Sequence, residues 1–253
     1  MFDVMNLSDQ DHAFRMTANA FLAQLSRWGG WNKAQKAKLD EAHGGGLFAA
    51  IKDSEKPESA EALLDFLAVR VEMAQKNFPR LLPGIRRILV NILSQPSPDC
   101  LNFIGELAVI TDIAAVPGIE LTGLEVKIFP KEKASRRADI ALSRLGKTEL
   151  ADILNIHFNA ERLDNWQSVE KFIADRIDQK IEKKTHGRTG QDLFIIPVLW
   201  GDLEFLSRWS TEFLAFFKAA TNCLGPFAIT EFSRDGKVWE WMIKPMHHLI
   251  QKA

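Results

Sequence analysis

The hydrophobic period of this chain changes near Pro117-Gly118. The segment before it, CLNFIGELAVITDIAAV, has apolar residues at helical spacing and predicts an α-helix that ends at this Pro-Gly pair. After it, three segments alternate between apolar and polar residues and predict β-strands: IELTGLEVKIF (119–129), RRADIALSR (136–144) and TELADILNIHF (148–158). The chain is therefore expected to combine helices with a sheet.

A long helix and a buried strand are predicted next. Residues 161–187 carry an apolar stripe at helical spacing and end at Gly187, a residue typical of a helix C-terminus. The stripe consists of Trp166, Val169, Ile173, Ile177 and Ile181. DLFIIPVLWG (192–201) is almost entirely apolar, which indicates a strand covered on both faces. A helix over 203–220 and a final hairpin with Asp235-Gly236 at its turn complete the predicted order.

The N-terminal part of the chain is predicted to be helical. Apolar residues from Phe14 to Leu25 recur at helical spacing, and Ser59 is a candidate N-cap of a second helix. The proline-rich segment QPSPD (95–99) predicts a boundary. We therefore expect two domains, a helical N-terminal region over 1–95 and an α/β domain with a C-terminal hairpin over 96–253.

The composition indicates a globular protein of the cytoplasm. The chain has 253 residues, of which 46% are hydrophobic, and no apolar run reaches the roughly 18 to 20 residues that span a bilayer. Its first residues lack the layout of a signal peptide, so no membrane association is expected. Cys100 and Cys223 are too few and too distant for a disulfide framework or a zinc site. Because the formal net charge is -1, contact with nucleic acid would require a local basic patch, for which KEKASRR (131–137) is the best candidate.

The predicted order of elements over about residues 99–200 is a helix, three strands, a long helix and a buried strand. This order resembles the core of the restriction-endonuclease-like, or PD-(D/E)XK, superfamily. The resemblance implies an α/β fold in which an N-terminal helical region is followed by a restriction-endonuclease-like mixed sheet flanked by helices. In that family the first helix often carries a Glu, the second strand an Asp, and the third strand a Glu-x-Lys motif. The corresponding residues here are Glu106, Asp139, Asn155 and His157.

The resemblance also implies roles for these residues. Family members that cleave phosphodiester bonds use carboxylates to hold Mg²⁺ and a Lys to position or activate water. Glu106, Asp139 and Asn155 would therefore be the metal ligands, for Mg²⁺ or Mn²⁺ if the site holds a metal. His157 would act as a base, or Lys180 on the long helix would replace the missing Lys.

Strand register decides whether these side chains meet, because a shift of one residue turns a strand over. In the predicted register the apolar residues share one face, Ala138, Ile140 and Leu142 with Leu150, Leu154 and Ile156. This register puts Asp139 on the same face as Asn155 and His157. Asp152 then falls on the apolar face, where it needs an edge position or an Arg partner. If the register is different, Asp139 and Asp152 form the acidic pair instead.

A rival alignment places the motif earlier in the chain. Asp112 precedes Glu125-Val126-Lys127, which is a literal Glu-x-Lys sequence. In that alignment residues 131–146 form the following helix, since their apolar residues also fit a helical stripe. We prefer the first alignment because the long helix and the apolar strand then follow the third strand in the expected order.

The missing Glu-Lys pair decides which function the sequence favours. Loss of one carboxylate and one cation weakens a metal site and its stabilisation of the transition state. The sequence therefore favours a non-catalytic or weakly active module with a binding, regulatory or immunity-type role. The alternatives are a metal-dependent nuclease that hydrolyses DNA and an α/β interaction protein unrelated to this superfamily. The expected partner is DNA or another protein, and the sequence does not indicate an oligomeric state.

Overall fold

The computed structural model describes residues 18–42, 46–48, 57–96, 99–113, 116–133, 135–144, 146–159, 163–186, 193–234 and 238–245. Its N-terminal part is helical, as predicted. The helices are α1 (Ala18–Arg27), α2 (Lys33–Glu41), α3 (Pro57–Asn77), α4 (Leu82–Ser94) and α5 (Asp99–Ile113), with a 3₁₀ turn at Pro79–Leu81. Ser59 lies inside α3, which begins at Pro57, so its prediction as an N-cap was wrong. Helix α5, which carries Glu106, is the last helix before the first strand.

Within the described residues, six strands form one mixed sheet in the order β1-β2-β3-β4-β5-β6. The strands are β1 (Ile119–Lys127), β2 (Arg137–Arg144), β3 (Lys147–His157), β4 (Leu193–Trp200), β5 (Phe227–Arg234) and β6 (Val238–Pro245). The neighbours are antiparallel except for β3–β4 and β4–β5, which are parallel. Parallel neighbours need a crossover connection, and α6 (Trp166–Thr185) supplies it between β3 and β4.

Two further helices connect β4 to β5. They are α7 (Leu203–Arg208) and α8 (Ser210–Ala219), so the single helix predicted over 203–220 is divided at Trp209. The predicted C-terminal hairpin is present as the antiparallel pair β5 and β6, whereas its turn at Asp235-Gly236 lies outside the described residues. Helix α6 ends at Thr185, and His186 takes up the left-handed conformation (φ 56°) that closes it. Gly187, the predicted end of this helix, lies outside the described residues.

The sheet carries a hydrophobic core on each face. One core joins all six strands to helices α1 to α5, and it includes Ile140 and Ile153. The other core joins β3, β4 and β5 to α6, α7 and α8, and it includes Leu154 and Ile156. Because successive strand residues point to opposite faces, β3 is apolar on both sides and is buried from Ala151 to Ile156. The first core draws on both sides of the boundary predicted near residue 95, and the division into two domains stays a prediction.

Two expectations from composition concern the membrane and the cysteines. No helix in the described ranges combines the length and the apolar character that a membrane span requires. Cys100 is buried in α5, Cys223 is half-buried, and both are free thiols.

The predicted register between β2 and β3 was wrong by one residue. Ile140 pairs with Ala151 and Leu142 pairs with Glu149. Directly paired residues share a face, so Ile140 lies with Ala151 and Ile153 rather than with Leu150 or Leu154. Alternation could not decide between the two registers because both faces of β3 are apolar. The consequence is that Asp139 faces Asp152, while Asn155 and His157 lie on the other side of the sheet.

Candidate functional site

Asp139 of β2 and Asp152 of β3 lie one position beyond the Ile140–Ala151 pair, on the face covered by α6. Each carboxylate accepts a hydrogen bond from the backbone of the other strand. The Asp139 N–H donates to Asp152 Oδ1 at 3.1 Å, and the Ile153 N–H donates to Asp139 Oδ2 at 2.8 Å. The side chain of Asp152 is fully buried, and that of Asp139 is 21% exposed. These reciprocal hydrogen bonds fix the orientation of both carboxylates within the sheet.

Helix α6 brings two lysines to this pair. Val169, Ile173 and Ile177 form the buried stripe of the helix, and Lys180 and Lys184 continue it at spacings of three and seven residues from Ile177. The apolar stripe therefore becomes cationic in the last turns, where the aspartates lie.

The lysine ammonium groups contact both carboxylates. Lys180 Nζ lies 2.9 Å from Asp152 Oδ2 and 3.9 Å from Asp139 Oδ2. Lys184 Nζ lies 2.7 Å from Asp152 Oδ1, 3.3 Å from Asp139 Oδ1 and 2.7 Å from the backbone oxygen of Arg137. Two acidic and two basic side chains thus form a compact, partly buried cluster with no formal net charge.

A third carboxyl group, that of Glu106 in α5, belongs to the same electrostatic environment. Burial raises the pKa of Glu106 well above its ordinary value, with further contributions from Asp139 and Glu125, whereas Lys180 acts in the opposite direction. Burial and then the Asp152 carboxylate raise the pKa of Asp139 to about 6, against the effect of Lys180 and Lys184. Negative charge is therefore crowded at this point of the sheet.

The pKa of Lys184 is set by burial and by the same carboxylates. Burial acts to lower the pKa of Lys184, but the carboxylates of Asp139 and Asp152 outweigh it and raise the pKa above its ordinary value. Lys184 is therefore an ammonium ion throughout the neutral range, and it neutralises the aspartates that hold it.

The donor chemistry of the aspartate pair fits a hard divalent cation. Carboxylate and carbonyl oxygens are the ligands that Mg²⁺ prefers, and Mg²⁺ is commonly bound through one or two carboxylates with water and substrate phosphates completing its shell. Among the described residues no group of three His, Cys, Asp or Glu side chains is arranged to hold a metal ion. The pair therefore offers two carboxylates as donors.

The structure does not bring Asn155 and His157 to Asp139. Asn155 is buried beneath α5. Its Nδ2 donates to the backbone oxygen of Asn102 at 2.9 Å, and its Oδ1 accepts from Trp200 Nε1 at 2.8 Å. A Cβ atom on Gly105 would come within 1.9 Å of Asn155 Oδ1, so glycine is required for this close approach. Asn155 therefore links β3, β4 and α5.

His157 is an exposed residue on the same face as Asn155. Its Nε2 lies 3.1 Å from Asn102 Oδ1, and its ring stacks on Trp200 with centroids 5.1 Å apart. Burial of part of the ring and the charge of Arg176 lower the pKa of His157. The predicted set of Asp139, Asn155 and His157 is consequently not a single site.

The residues of the rival alignment are bound elsewhere. Asp112 forms an ion pair with Arg70 of α3, and Glu125 forms one with Arg87 of α4. Lys127 Nζ donates to the backbone oxygen of Glu132 at 3.2 Å. Residues 137–144 form strand β2, so the helix that the rival alignment required over 131–146 was wrong.

The alternative register, in which Asp139 and Asp152 form the acidic pair, is the one that the structure has, and Lys180 was already a candidate for the missing Lys. Lys184 is the residue of the cluster that was not predicted, although the sequence contained signals for it. Asp152 is a carboxylate inside an apolar strand, which is costly without a partner and therefore indicates a nearby cation. Lys180 and Lys184 lie four residues apart on a predicted helix, so both reach one location. Only the register was needed to join the three observations.

Comparison of the chain with models of known protein families, with curated proteins and with solved structures finds no match.

We predict that Asn155→Leu destabilises the protein by about 2 kcal/mol, because the buried Trp200 N–H and the Asn102 carbonyl lose their partner. Urea denaturation followed by circular dichroism measures the change in the free energy of unfolding. His157→Leu at the exposed neighbouring position is the control and should cost less than about 1 kcal/mol. Equal effects of the two substitutions would contradict a structural role for Asn155.

We also predict that Glu106→Gln raises the free energy of unfolding of the metal-free protein relative to the wild type, and that this gain is larger at about pH 8 than at about pH 5. The folded protein retains the proton of Glu106 above the pH at which the unfolded chain releases it, since the folded pKa is raised. The free energy of unfolding therefore falls as the pH rises through that window, and glutamine removes the part of this fall that Glu106 causes, while the part due to Asp139 remains. Urea denaturation in EDTA at a series of pH values measures the pH dependence of the free energy of unfolding for the variant and the wild type.

Glu182→Gln, at an exposed position of α6, is the matched control and should leave the pH dependence unchanged. If Glu106→Gln behaves as this control does, the carboxyl of Glu106 does not belong to the crowded cluster.

Proposed function

We propose that the protein is a metal-dependent nuclease that hydrolyses phosphodiester bonds at the Asp139–Asp152 pair, on a sheet related to that of the PD-(D/E)XK superfamily. The observation that supports this most is that β3 does carry an acidic residue opposite Asp139, namely Asp152. The sequence favoured a non-catalytic module because the third strand lacked an acidic residue and a lysine at the aligned positions. Asp152 and Lys180 remove that reason.

The order of elements also supports this kinship. A helix with a glutamate, α5, is followed by the antiparallel strands β1, β2 and β3, then by α6 and the parallel strand β4. This is the order on which the resemblance was based. Asp139 lies on the second strand and Asp152 on the third, as the acidic residues of that family do.

Asp139 and Asp152 are the residues that would hold Mg²⁺ or Mn²⁺. Such a cation, when bound, supplies a Lewis acid for a phosphoryl oxygen and a bound water of lowered pKa. The backbone amides of Asp139 and Ile153 fix the orientation of the two carboxylates that would hold the cation. Lys180 would stabilise negative charge that develops on the phosphoryl group. The raised pKa of Glu106 favours the protonated form of its carboxyl group, which could then donate a proton.

The surface beside the pair supports a polyanionic substrate. The β1–β2 connection exposes Lys131, Lys133 and Arg136 directly before β2 begins. Its end adjoins the cluster, because Lys184 donates to the Arg137 oxygen. Exposed cations next to a catalytic centre attract phosphates even though the whole chain carries a net charge of -1.

A second candidate, a non-catalytic binding module, is favoured by one specific observation. Both aspartates are already neutralised by two lysines at 2.7 to 3.9 Å, as in a structural ion cluster that fastens a helix to a sheet. In that case the cluster would hold α6 against β2 and β3 and would do no chemistry.

Cleavage assays separate the two candidates. Purified protein is incubated with plasmid and single-stranded DNA in Mg²⁺, in Mn²⁺ and in EDTA. Metal-dependent cleavage is expected, and Asp139→Asn, Asp152→Asn and Lys180→Met should each lower the rate by at least about 100-fold through lost stabilisation of the transition state. Asp178→Asn and Lys171→Met, at exposed positions of α6, are the matched controls and should retain activity.

Circular dichroism of each variant excludes loss of the fold as the cause. Absence of cleavage by the folded wild-type protein on every DNA with either metal would contradict the nuclease proposal and favour the binding module. Cleavage that survives Asp139→Asn but is lost in Glu125→Gln would instead place the chemistry at Glu125 and contradict the assignment to the Asp139–Asp152 pair.

We predict that the double variant Lys133→Ala, Arg136→Ala binds DNA more weakly and lowers the slope of log affinity against log salt by about two, since each phosphate contact contributes about one. Fluorescence anisotropy in EDTA over a range of salt concentrations measures the slope. Lys76→Ala, Arg80→Ala, which removes two exposed cations near the end of α3, changes the net charge equally and should leave the slope unchanged. An identical effect of both double variants would show that overall charge, not this connection, binds the phosphates.

A further inference from the structure

The two lysines of the cluster are not equivalent in their contacts. Lys184 Nζ contacts one oxygen of each aspartate, Asp152 Oδ1 at 2.7 Å and Asp139 Oδ1 at 3.3 Å. It also donates to the backbone oxygen of Arg137 at 2.7 Å. Lys180 Nζ has one close carboxylate oxygen, Asp152 Oδ2 at 2.9 Å, with Asp139 Oδ2 at 3.9 Å. An ammonium group has three N–H donors, and the contacts of Lys184 match that number with three oxygens.

Those three oxygens are also the donor set that a hard cation would choose, two carboxylates and one carbonyl. We propose that Lys184 is a built-in counter-ion that takes the position of the divalent cation between Asp139 and Asp152, and that it leaves when Mg²⁺ or Mn²⁺ binds. This inference rests on the proposed metal-dependent function of the same site.

The charges of the two aspartates and two lysines favour the exchange. Two aspartates and two lysines carry no formal net charge, so a divalent cation that joined all four would add two positive charges to a partly buried space. Without Lys184, on the other hand, the fully buried Asp152 would face Asp139 with one counter-ion for two carboxylates, which destabilises the empty site. Lys184 therefore stabilises the metal-free protein and competes with the metal.

The structure allows Lys184 to leave without loss of the site. The residue lies in the last turn of α6, its side chain is 16% exposed, and a lysine stem is flexible. The aspartates themselves are held by the backbone N–H groups of Asp139 and Ile153 and not only by the lysines. The carboxylates thus keep their orientation when the ammonium group moves away.

The test compares Mn²⁺ binding by the wild-type protein and by Lys184→Met, using isothermal titration calorimetry together with thermal unfolding. The variant should unfold at a lower temperature without metal. It should bind Mn²⁺ about tenfold more tightly, a change within the usual range of coupling between bound groups. Its unfolding temperature should therefore rise more on addition of Mn²⁺ than that of the wild type.

Two further variants control the comparison. Lys183→Met removes an exposed lysine of the same turn and the same charge, and it should bind Mn²⁺ as the wild type does. Lys184→Gln removes the charge but keeps hydrogen-bond donors, so it provides the test if Lys184→Met does not fold, and it should also bind Mn²⁺ more tightly.

The possible results separate this inference from the proposed function. If the wild type binds Mn²⁺ through Asp139 and Asp152, and the Lys184 variants bind it equally or more weakly, the counter-ion inference is overturned and the nuclease proposal stands. If neither the wild type nor the variants bind Mn²⁺, or if Asp139→Asn leaves binding intact, both are overturned.

Discussion

Two carboxylates that face each other across neighbouring strands repel, and strands pair at that point only if the charge is balanced. Asp139 and Asp152 meet this requirement through two backbone N–H groups and two lysine ammonium groups. The same contacts fasten the last turns of α6 to β2 and β3. The register of β2 and β3 and the character of the site therefore depend on this electrostatic balance, which adds to the apolar packing that holds α6 on the sheet.

That balance is typical of a functional site rather than of an optimal core. Well-packed apolar residues of similar volume are often at least as stabilising as a buried ion cluster, whereas removal of a single partner is strongly destabilising. The pKa values of Asp139 and Glu106 are raised because burial and the neighbouring carboxylates both oppose negative charge at this point. Shifted pKa values of this kind are found at functional sites and also in structural ion-pair networks. The nuclease proposal accounts for why the chain retains these carboxyl groups.

Much of the fold could be predicted from hydrophobic period alone. The strand predicted over 136–144 is β2 (Arg137–Arg144), and the one predicted over 148–158 is β3 (Lys147–His157). Helix α2 was missed because it is polar around most of its surface and buries only Leu39. Asn32, its N-cap, and Gln35, in its first turn, form a capping box that could have indicated it. The register failed for a different reason, since a strand buried on both faces gives no preference from its apolar residues. The charged residues held that information, because Asp152 required a cation and Lys180 and Lys184 could supply one.

Anomalous diffraction from crystals soaked in Mn²⁺ tests the central claim that the Asp139–Asp152 pair is a cation site. The account predicts one strong peak between the two carboxylates, within about 2.5 Å of an oxygen of each. Lys184 Nζ should be displaced from Asp152 Oδ1, while the Ile153 N–H remains bonded to Asp139. A structure that keeps both lysines on the aspartates and has no manganese peak there, in crystals saturated with the metal, would contradict the account.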